Sequence, residues 1–182
     1  MTVLLNFLGQ PSSGKTSIGA AVFAHLKALG VETEFVSEYA KQLCWEGRSI
    51  SPFDQYAIFG YEAHQQSVLF NKVKVLIADS PVMLTAFYQY FYNKKNTLQQ
   101  PCHDFYEMAE KDYNVKVINF FLNRQKKYNP NGRYQTEAEA EEVCRLLRMW
   151  LNFEGFKYTE LNCPDEERLD KVMEVLKNEG VL

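Results

Sequence analysis

Short apolar runs alternate along the chain with longer stretches in which apolar residues recur at helical spacing. Five runs have the length and composition of strands, and we predict them at 2–8, 31–37, 73–78, 115–122 and 156–161. The run at 73–78 is almost wholly apolar, as expected for a strand that is buried on both faces. Each pair of successive strands is separated by at least one helical stretch, an arrangement that parallel strands require. The pattern therefore predicts an α/β fold with a five-stranded parallel sheet and helices on both faces.

Two helix starts carry local sequence signals. Ser51 followed by Pro52 is typical of an N-cap and a first helical position, so we predict a helix from there to about residue 71. Thr136 with Glu139 three residues later is a capping-box pattern, which predicts a helix running to about residue 152. Further helices are predicted at 17–30, 38–47, 82–93, 102–112 and 166–178.

Composition and charge narrow the classes of protein. The chain has 182 residues with a net charge of −3, which argues against a broad basic face for duplex nucleic acid. The four cysteines are widely spaced, without the spacing of a zinc site or a redox motif. No apolar stretch is long enough to span a bilayer. We expect a single domain over 1–182 in the cytoplasm, or in the host cytoplasm if a phage encodes it, with no membrane partner; the sequence leaves the oligomeric state open.

The most specific motif follows the first predicted strand. Residues 9–16, GQPSSGKT, fit the P-loop (Walker A) pattern G-x-x-x-x-G-K-[ST], and they open a helix as that pattern requires. Backbone N–H groups of such a loop face phosphate oxygens, and the helix N-terminus adds a partial positive charge. The predicted nucleotide-binding residues are Gly9, Pro11, Ser12, Ser13, Gly14, Lys15, Thr16 and Ser17.

The P-loop predicts ATP and Mg²⁺ as cofactors. Lys15 would reach the β- and γ-phosphates, and the Thr16 hydroxyl would ligate Mg²⁺. The alternative is a Gly/Ser-rich turn in which Lys15 is only solvated. A cation in the first turn of a helix opposes the helix dipole, however, so an anionic ligand explains Lys15 better.

Two carboxylates follow predicted strands, at the sheet edge where open α/β folds bind ligands. Asp79 ends the third strand, where it could hold Mg²⁺ or orient an acceptor; the alternative is an N-cap. Glu38 ends the second strand, where it could accept a proton from an acceptor hydroxyl; the alternative is a favourable first-turn charge. Either residue could serve as the catalytic base.

A basic, turn-rich segment lies between the fourth strand and the capped helix. Residues 124–135 contain Arg124 and Arg133, whose guanidinium groups could hold phosphate oxygens bidentately, and the Asn-Pro-Asn-Gly tip favours mobility. We therefore predict a lid in which both arginines are catalytic. The alternative is an exposed basic turn. The aromatic residues of 87–92 could stack a base or simply pack in the core.

Taken together, these motifs resemble the small P-loop kinases grouped around the ribosylnicotinamide kinase domain of bacterial NAD-metabolism proteins, with AAA-type nucleotide kinase relatives in bacteriophages. The P-loop, EYAK at 38–41, Gln65 and Gln66, Asp79 and the lid carry the resemblance. It implies a P-loop NTPase three-layer sandwich with a short lid.

The resemblance also implies transfer of the γ-phosphoryl group of ATP to a hydroxyl of a nucleoside-like or nucleotide acceptor. Nicotinamide riboside and a deoxynucleoside or deoxynucleotide both remain open as acceptors. One alternative is a kinase acting on 5-hydroxymethyluracil in phage DNA, with DNA as the acceptor. An alternative of another class is a nucleotide-dependent switch NTPase, although no D-x-x-G or N-K-x-D signature is present.

Overall fold

A five-stranded parallel sheet forms the centre of the molecule in the computed structural model, which describes all 182 residues. The strands are β1 (Thr2–Gly9), β2 (Thr33–Val36), β3 (Val75–Ala78), β4 (Val115–Leu122) and β5 (Thr159–Leu161). Their order is β2-β3-β1-β4-β5, and every neighbouring pair is parallel. In the central strand, Leu5 lies opposite Ile77 on one side and Ile118 on the other. The predicted α/β fold is therefore confirmed.

Seven helices connect and cover the strands. They are α1 (Lys15–Ala28), α2 (Tyr39–Trp45), α3 (Asp54–Ser67), α4 (Val82–Asn93), α5 (Gln99–Lys111), α6 (Glu137–Phe153) and α7 (Arg168–Asn178). No helix is both long and apolar enough to cross a membrane.

The alternation of side chains along the strands builds two cores. In β1, Leu4 and Leu8 face one core, which α4, α5 and α6 cover, whereas Val3, Leu5 and Phe7 face the other. The second core is closed by α1 and α7, which pack against each other. A strand with apolar residues on both faces is buried on both faces, and the result is a three-layer sandwich.

Predicted boundaries agree best where the local signal is strong. β4 and α4 have the predicted bounds, and Thr136 caps α6 through a complete capping box with Glu139. Ser51 also bonds Asp54 reciprocally, since Ser51 N–H donates to the carboxylate at 2.6 Å and Asp54 N–H donates to Ser51 Oγ at 3.3 Å. The turn after Ser51 is closed by i to i+3 bonds, however, so the α-helix begins at Asp54.

Helix α5 begins three residues before the predicted start, so the polar linker ahead of it is shorter than expected. Leu98, which precedes the helix, is only 4% exposed and anchors its start in the core. Asn96 and Gln99 also donate hydrogen bonds to the buried carboxylate of Glu154. Tertiary contacts therefore order a segment whose local sequence favours a loop.

The carboxyl edge of the sheet gathers the predicted functional segments. The P-loop follows the central strand β1, Glu38 and Asp79 follow β2 and β3, and the lid follows β4. Because the strands are parallel, all four segments emerge at the same edge.

Candidate active site

The backbone of the P-loop has the curled shape that its glycines permit. Gly9 and Gly14 have φ of 143° and 95°, and Ser12 between them has φ of 64°. A Cβ at Gly9 would lie 2.5 Å from the carbonyl oxygen of Leu122. Since no side chain fits there, glycine is required at position 9.

Lys15 lies across this loop. Its Nζ donates to the carbonyl oxygens of Gly9 at 3.1 Å and Gln10 at 3.3 Å. Burial lowers the pKa of Lys15, and the nearby carboxylates Glu38 and Asp79 oppose that shift. A half-buried ammonium at this loop is a suitable partner for an anionic phosphate group.

The remaining predicted nucleotide-binding residues differ in exposure. Pro11 and Lys15 line a pocket beside the loop, whereas Ser13 is buried and Ser17 is exposed. The Ser12 hydroxyl contacts the lid. It donates to the carbonyl oxygen of Asn129 at 3.0 Å, and the Asn129 N–H donates to Ser12 Oγ at 3.3 Å.

Thr16 and Asp79 meet at the base of the loop. The Thr16 hydroxyl donates to Asp79 Oδ2 at 2.7 Å, and Asp79 is 1% exposed. Asp79 Oδ1 is buried without a hydrogen-bond partner. The pair fits Mg²⁺, which proteins bind through one or two oxygen ligands together with substrate phosphates and water. No cluster of three metal-ligating side chains exists in the protein, so such a site would depend on the nucleotide.

A pocket of about 190 Å³ opens beside the P-loop. Glu38 and Arg133 approach each other there, with 3.8 Å between Oε2 and Nη1, and each side chain is 21% exposed. The lining residues come from the P-loop, from the segments after β2 and β3, from α3, α4 and α6, and from the lid: Pro11, Lys15, Glu38, Ala40, Lys41, Ile50, Gln55, Ile58, Ser80, Thr85, Tyr88, Tyr92, Gly132, Arg133, Tyr134, Gln135 and Glu139.

Burial and neighbouring charges shift the pKa of Glu38 in opposite directions. Desolvation raises the pKa of its carboxyl, and the positive charges of Lys15 and Arg133 oppose that rise. A raised pKa makes a carboxylate a better proton acceptor. Of the two carboxylates, Glu38 lines the pocket, whereas Asp79 is engaged with Thr16.

The lid lies against the pocket. Besides the contact between Asn129 and Ser12, a Cβ at Gly132 would lie 2.8 Å from the Trp45 ring, and the Tyr134 hydroxyl donates to the carbonyl of Arg48 at 2.7 Å. These contacts bring Arg133 to the pocket and close the lid onto the P-loop and the segment after α2.

Arg124 lies elsewhere. Its guanidinium forms ion pairs with Glu137 at 2.8 Å and Glu141 at 3.1 Å, and it stacks over the Tyr128 ring at 5.4 Å. It does not line the pocket that contains Arg133. The structure thus brings Lys15, Glu38 and Arg133 together and holds Arg124 on the first turns of α6.

Comparison with known proteins agrees with this geometry. The sequence profile of an AAA domain family matches residues 4–168. The chain belongs to this AAA domain family. No curated protein matches this AAA domain in sequence.

Solved structures share the fold of this AAA domain. A structure of deoxyadenosine kinase from M. mycoides with products dCMP and a flexible dCDP bound has a TM-score of 0.63 at 14% identity, covering 98% of this chain and 100% of that chain. A second structure of that kinase, with bound dATP, has a TM-score of 0.60 at 17% identity, with coverage of 97% and 100%. The likeness shows that the AAA domain has a P-loop kinase-like fold.

Sequence reasoning assigned no role to several polar residues of the AAA domain that lie in or behind the pocket, and it noted Gln66 only as part of a family resemblance. Gln55, Glu62 and Gln66 occupy one buried face of α3, and the Thr85 hydroxyl donates to Glu62 Oε2 at 2.9 Å. Burial raises the pKa of Glu62 to about 8, so its carboxyl is largely protonated at neutral pH. The spacing of these residues along one helix face was a visible signal, but polar residues on a helix usually indicate an exposed face.

The aromatic residues of α4 divide between the two predicted roles. Tyr88 and Tyr92 line the pocket, one helical turn apart. Phe87 is fully buried in the core, and the partly buried Tyr90 and Phe91 pack against that core. Only the two tyrosines on the pocket side are placed to contact a ligand.

Proposed function

We propose that the protein is an ATP-dependent kinase that transfers the γ-phosphoryl group to a hydroxyl of a nucleoside-like acceptor. The observation that carries this proposal is the convergence of Lys15, Glu38 and Arg133 on one pocket beside the P-loop. Such a transfer needs a cation that holds the phosphates of the donor, a group that accepts the proton of the acceptor hydroxyl, and a guanidinium that stabilises the charge of the transferring group.

The P-loop and Lys15 would hold the phosphates of ATP, with the Gly14 side of the loop providing N–H donors. Mg²⁺, held by Thr16, Asp79 and the phosphates, would neutralise charge on the phosphate oxygens. Glu38 would orient the acceptor hydroxyl and take its proton. As the oxygen–phosphorus bond forms, the bond between the γ-phosphorus and the β–γ bridging oxygen breaks, and ADP leaves. Arg133 would stabilise the charge spread over the transferring group.

The pocket also supports a nucleoside-like acceptor over a larger one. Tyr88 and Tyr92 could stack against a planar ring, while Gln55 and Thr85 offer hydrogen-bonding groups. Deoxyadenosine and related deoxynucleosides are the first candidates, because a kinase named for deoxyadenosine has this fold. Nicotinamide riboside is the second, because it also combines a planar ring with a ribose hydroxyl.

An acceptor in DNA is less compatible with a pocket of about 190 Å³, since the lid lines this pocket and bonds to the P-loop. A switch NTPase would transfer the phosphoryl group to water, and the position of Glu38 in a pocket with ring-binding side chains favours an organic acceptor instead.

An acceptor screen tests the proposal. Purified protein is incubated with γ-labelled ATP, Mg²⁺ and, separately, deoxynucleosides, nucleoside monophosphates, nicotinamide riboside and hydroxymethylated DNA. We expect label in a small nucleoside-like product. Label in DNA would mean that the acceptor is DNA and not a small nucleoside, and label in inorganic phosphate alone would favour a switch NTPase.

A further inference from the structure

Arg168, the first residue of α7, is a charged side chain in the interior. It is 1% exposed and is among the largest fully buried side chains of the protein. Its Nη1 donates to the carbonyl oxygen of Ser13 at 2.8 Å, and its Nη2 donates to that of Asn123 at 2.6 Å. Nη1 also pairs with Asp165 at 2.7 Å. A buried charge is tolerated when it is paired and hydrogen-bonded in this way, and these bonds fix its position.

The contact with Ser13 determines the direction of a P-loop amide. In a planar trans peptide, the carbonyl of Ser13 and the N–H of Gly14 point in opposite directions. Arg168 holds the Ser13 carbonyl on its own side, so the Gly14 N–H points away from Arg168. A Cβ at Gly14 would lie 3.0 Å from Nη1, which shows how closely the guanidinium packs beneath the loop.

The other contacts reach the root of the lid. Asn123 is the first residue after β4, so Arg168 holds the backbone where the lid begins. Asp165 also pairs with Lys126 of the lid, at 2.7 Å between Oδ2 and Nζ. One buried guanidinium therefore joins the P-loop, the lid root and the start of α7.

We propose that Arg168 is a positioning residue that orients the Gly14 N–H toward phosphate and fixes the root of the lid. The inference rests on the proposed function only in that the P-loop binds ATP. Arg168 does not line the pocket beside the P-loop, and it acts through the backbone of Ser13 and Asn123. Sequence reasoning missed it, although a cation at the start of a helix opposes the dipole and signals an unseen partner, as it does for Lys15.

Three variants test the proposal. Arg168→Met removes the charge and both hydrogen bonds, and Arg168→Lys keeps the charge but lacks the fork that reaches two carbonyls at once. Arg145→Met is the matched control, because Arg145 is an exposed arginine of α6 that pairs with Glu142. Each variant is measured for its ATP dissociation constant and for amide exchange of the peptides covering 9–16 and 123–135.

We expect Arg168→Met to weaken ATP binding on the order of 10-fold or more, as misdirecting a donor to a charged phosphate would. Arg168→Lys should restore part of the ATP affinity, and amide exchange should increase in both peptides of Arg168→Met. If Arg168→Met does not fold, the same comparison is made with Arg168→Lys. A folded variant with wild-type ATP affinity would overturn the proposal, since it would leave Arg168 with a purely structural role.

The binding assay separates this inference from the proposed function. If the wild type binds ATP and Arg168 variants bind it less tightly, but no acceptor is phosphorylated, the kinase proposal fails and the inference stands. If the wild type does not bind ATP, both fail.

Discussion

Replacing Glu62 by glutamine tests whether the polar face behind the pocket contains a neutral carboxyl. Glu62 is fully buried on α3, and its Oε2 accepts from the Thr85 hydroxyl while Oε1 has no partner. Burial, with a smaller contribution from the negative charge of Glu38, raises the pKa of Glu62 from 4.5 to about 8. Glutamine has nearly the same shape and cannot ionise, so the substitution removes the titration and little else.

The sign and size of the effect follow from that shift. Between pH 4.5 and 8 the folded protein holds a proton on Glu62 that the unfolded chain releases, so the free energy of unfolding falls as pH rises through this window. One pKa unit corresponds to about 1.4 kcal/mol, so the shift amounts to as much as about 5 kcal/mol. Because pH 5 and pH 8 lie three units apart, Glu62→Gln should gain at most about 4 kcal/mol relative to the wild type between those two pH values.

Urea unfolding followed by circular dichroism at pH 5 and pH 8 measures this difference. Glu110→Gln is the matched control, because it makes the same exchange at an exposed glutamate of α5. Taking the difference from the wild type cancels the contributions of other titrating groups. If Glu62→Gln and Glu110→Gln show the same pH dependence, Glu62 is charged in the folded protein and the reasoning about this polar face is refuted.

Four further substitutions test the catalytic assignments. Lys15→Ala should keep the fold but lower phosphoryl transfer by on the order of 10²-fold or more, and a wild-type rate would remove Lys15 from the phosphate site. Asp79→Asn should raise the Mg²⁺ concentration needed for half-maximal activity, whereas an unchanged titration would separate Asp79 from the metal. Arg133→Ala should lower kcat on the order of 10²-fold with little change in ATP affinity. Arg124→Ala should leave kcat close to normal, and a larger loss of kcat in Arg124→Ala than in Arg133→Ala would contradict the placement of the two arginines.

Much of the fold could be predicted because its signals are local. Apolar runs of strand length located all five strands, and the β1–P-loop–α1 order followed from a motif whose glycines and lysine have fixed positions. The α6 start was predicted from Thr136 and Glu139 alone, because a capping box needs only neighbouring residues. The start of α5 could not be predicted in this way, since Leu98 and Glu154 order it from a distance.

The site was less predictable because its parts meet only in three dimensions. Arg124 and Arg133 have the same chemistry and lie in the same lid, yet only Arg133 lines the pocket, beside Glu38. The difference depends on Glu137 and Glu141, which engage Arg124 from the next helix. Sequence spacing cannot rank two arginines whose roles are decided by such partners.

Single-turnover transfer from γ-labelled ATP measures whether the γ-phosphoryl group passes to an acceptor hydroxyl beside Glu38. Wild type and Glu38→Gln are each mixed with labelled ATP, Mg²⁺ and the pooled nucleosides, and the label is partitioned between nucleoside product and inorganic phosphate. We expect label in the nucleoside product with the wild type, and a rate of phosphoryl transfer lower by on the order of 10²-fold with Glu38→Gln. Label in inorganic phosphate alone, or equal rates for the two proteins, would contradict this expectation.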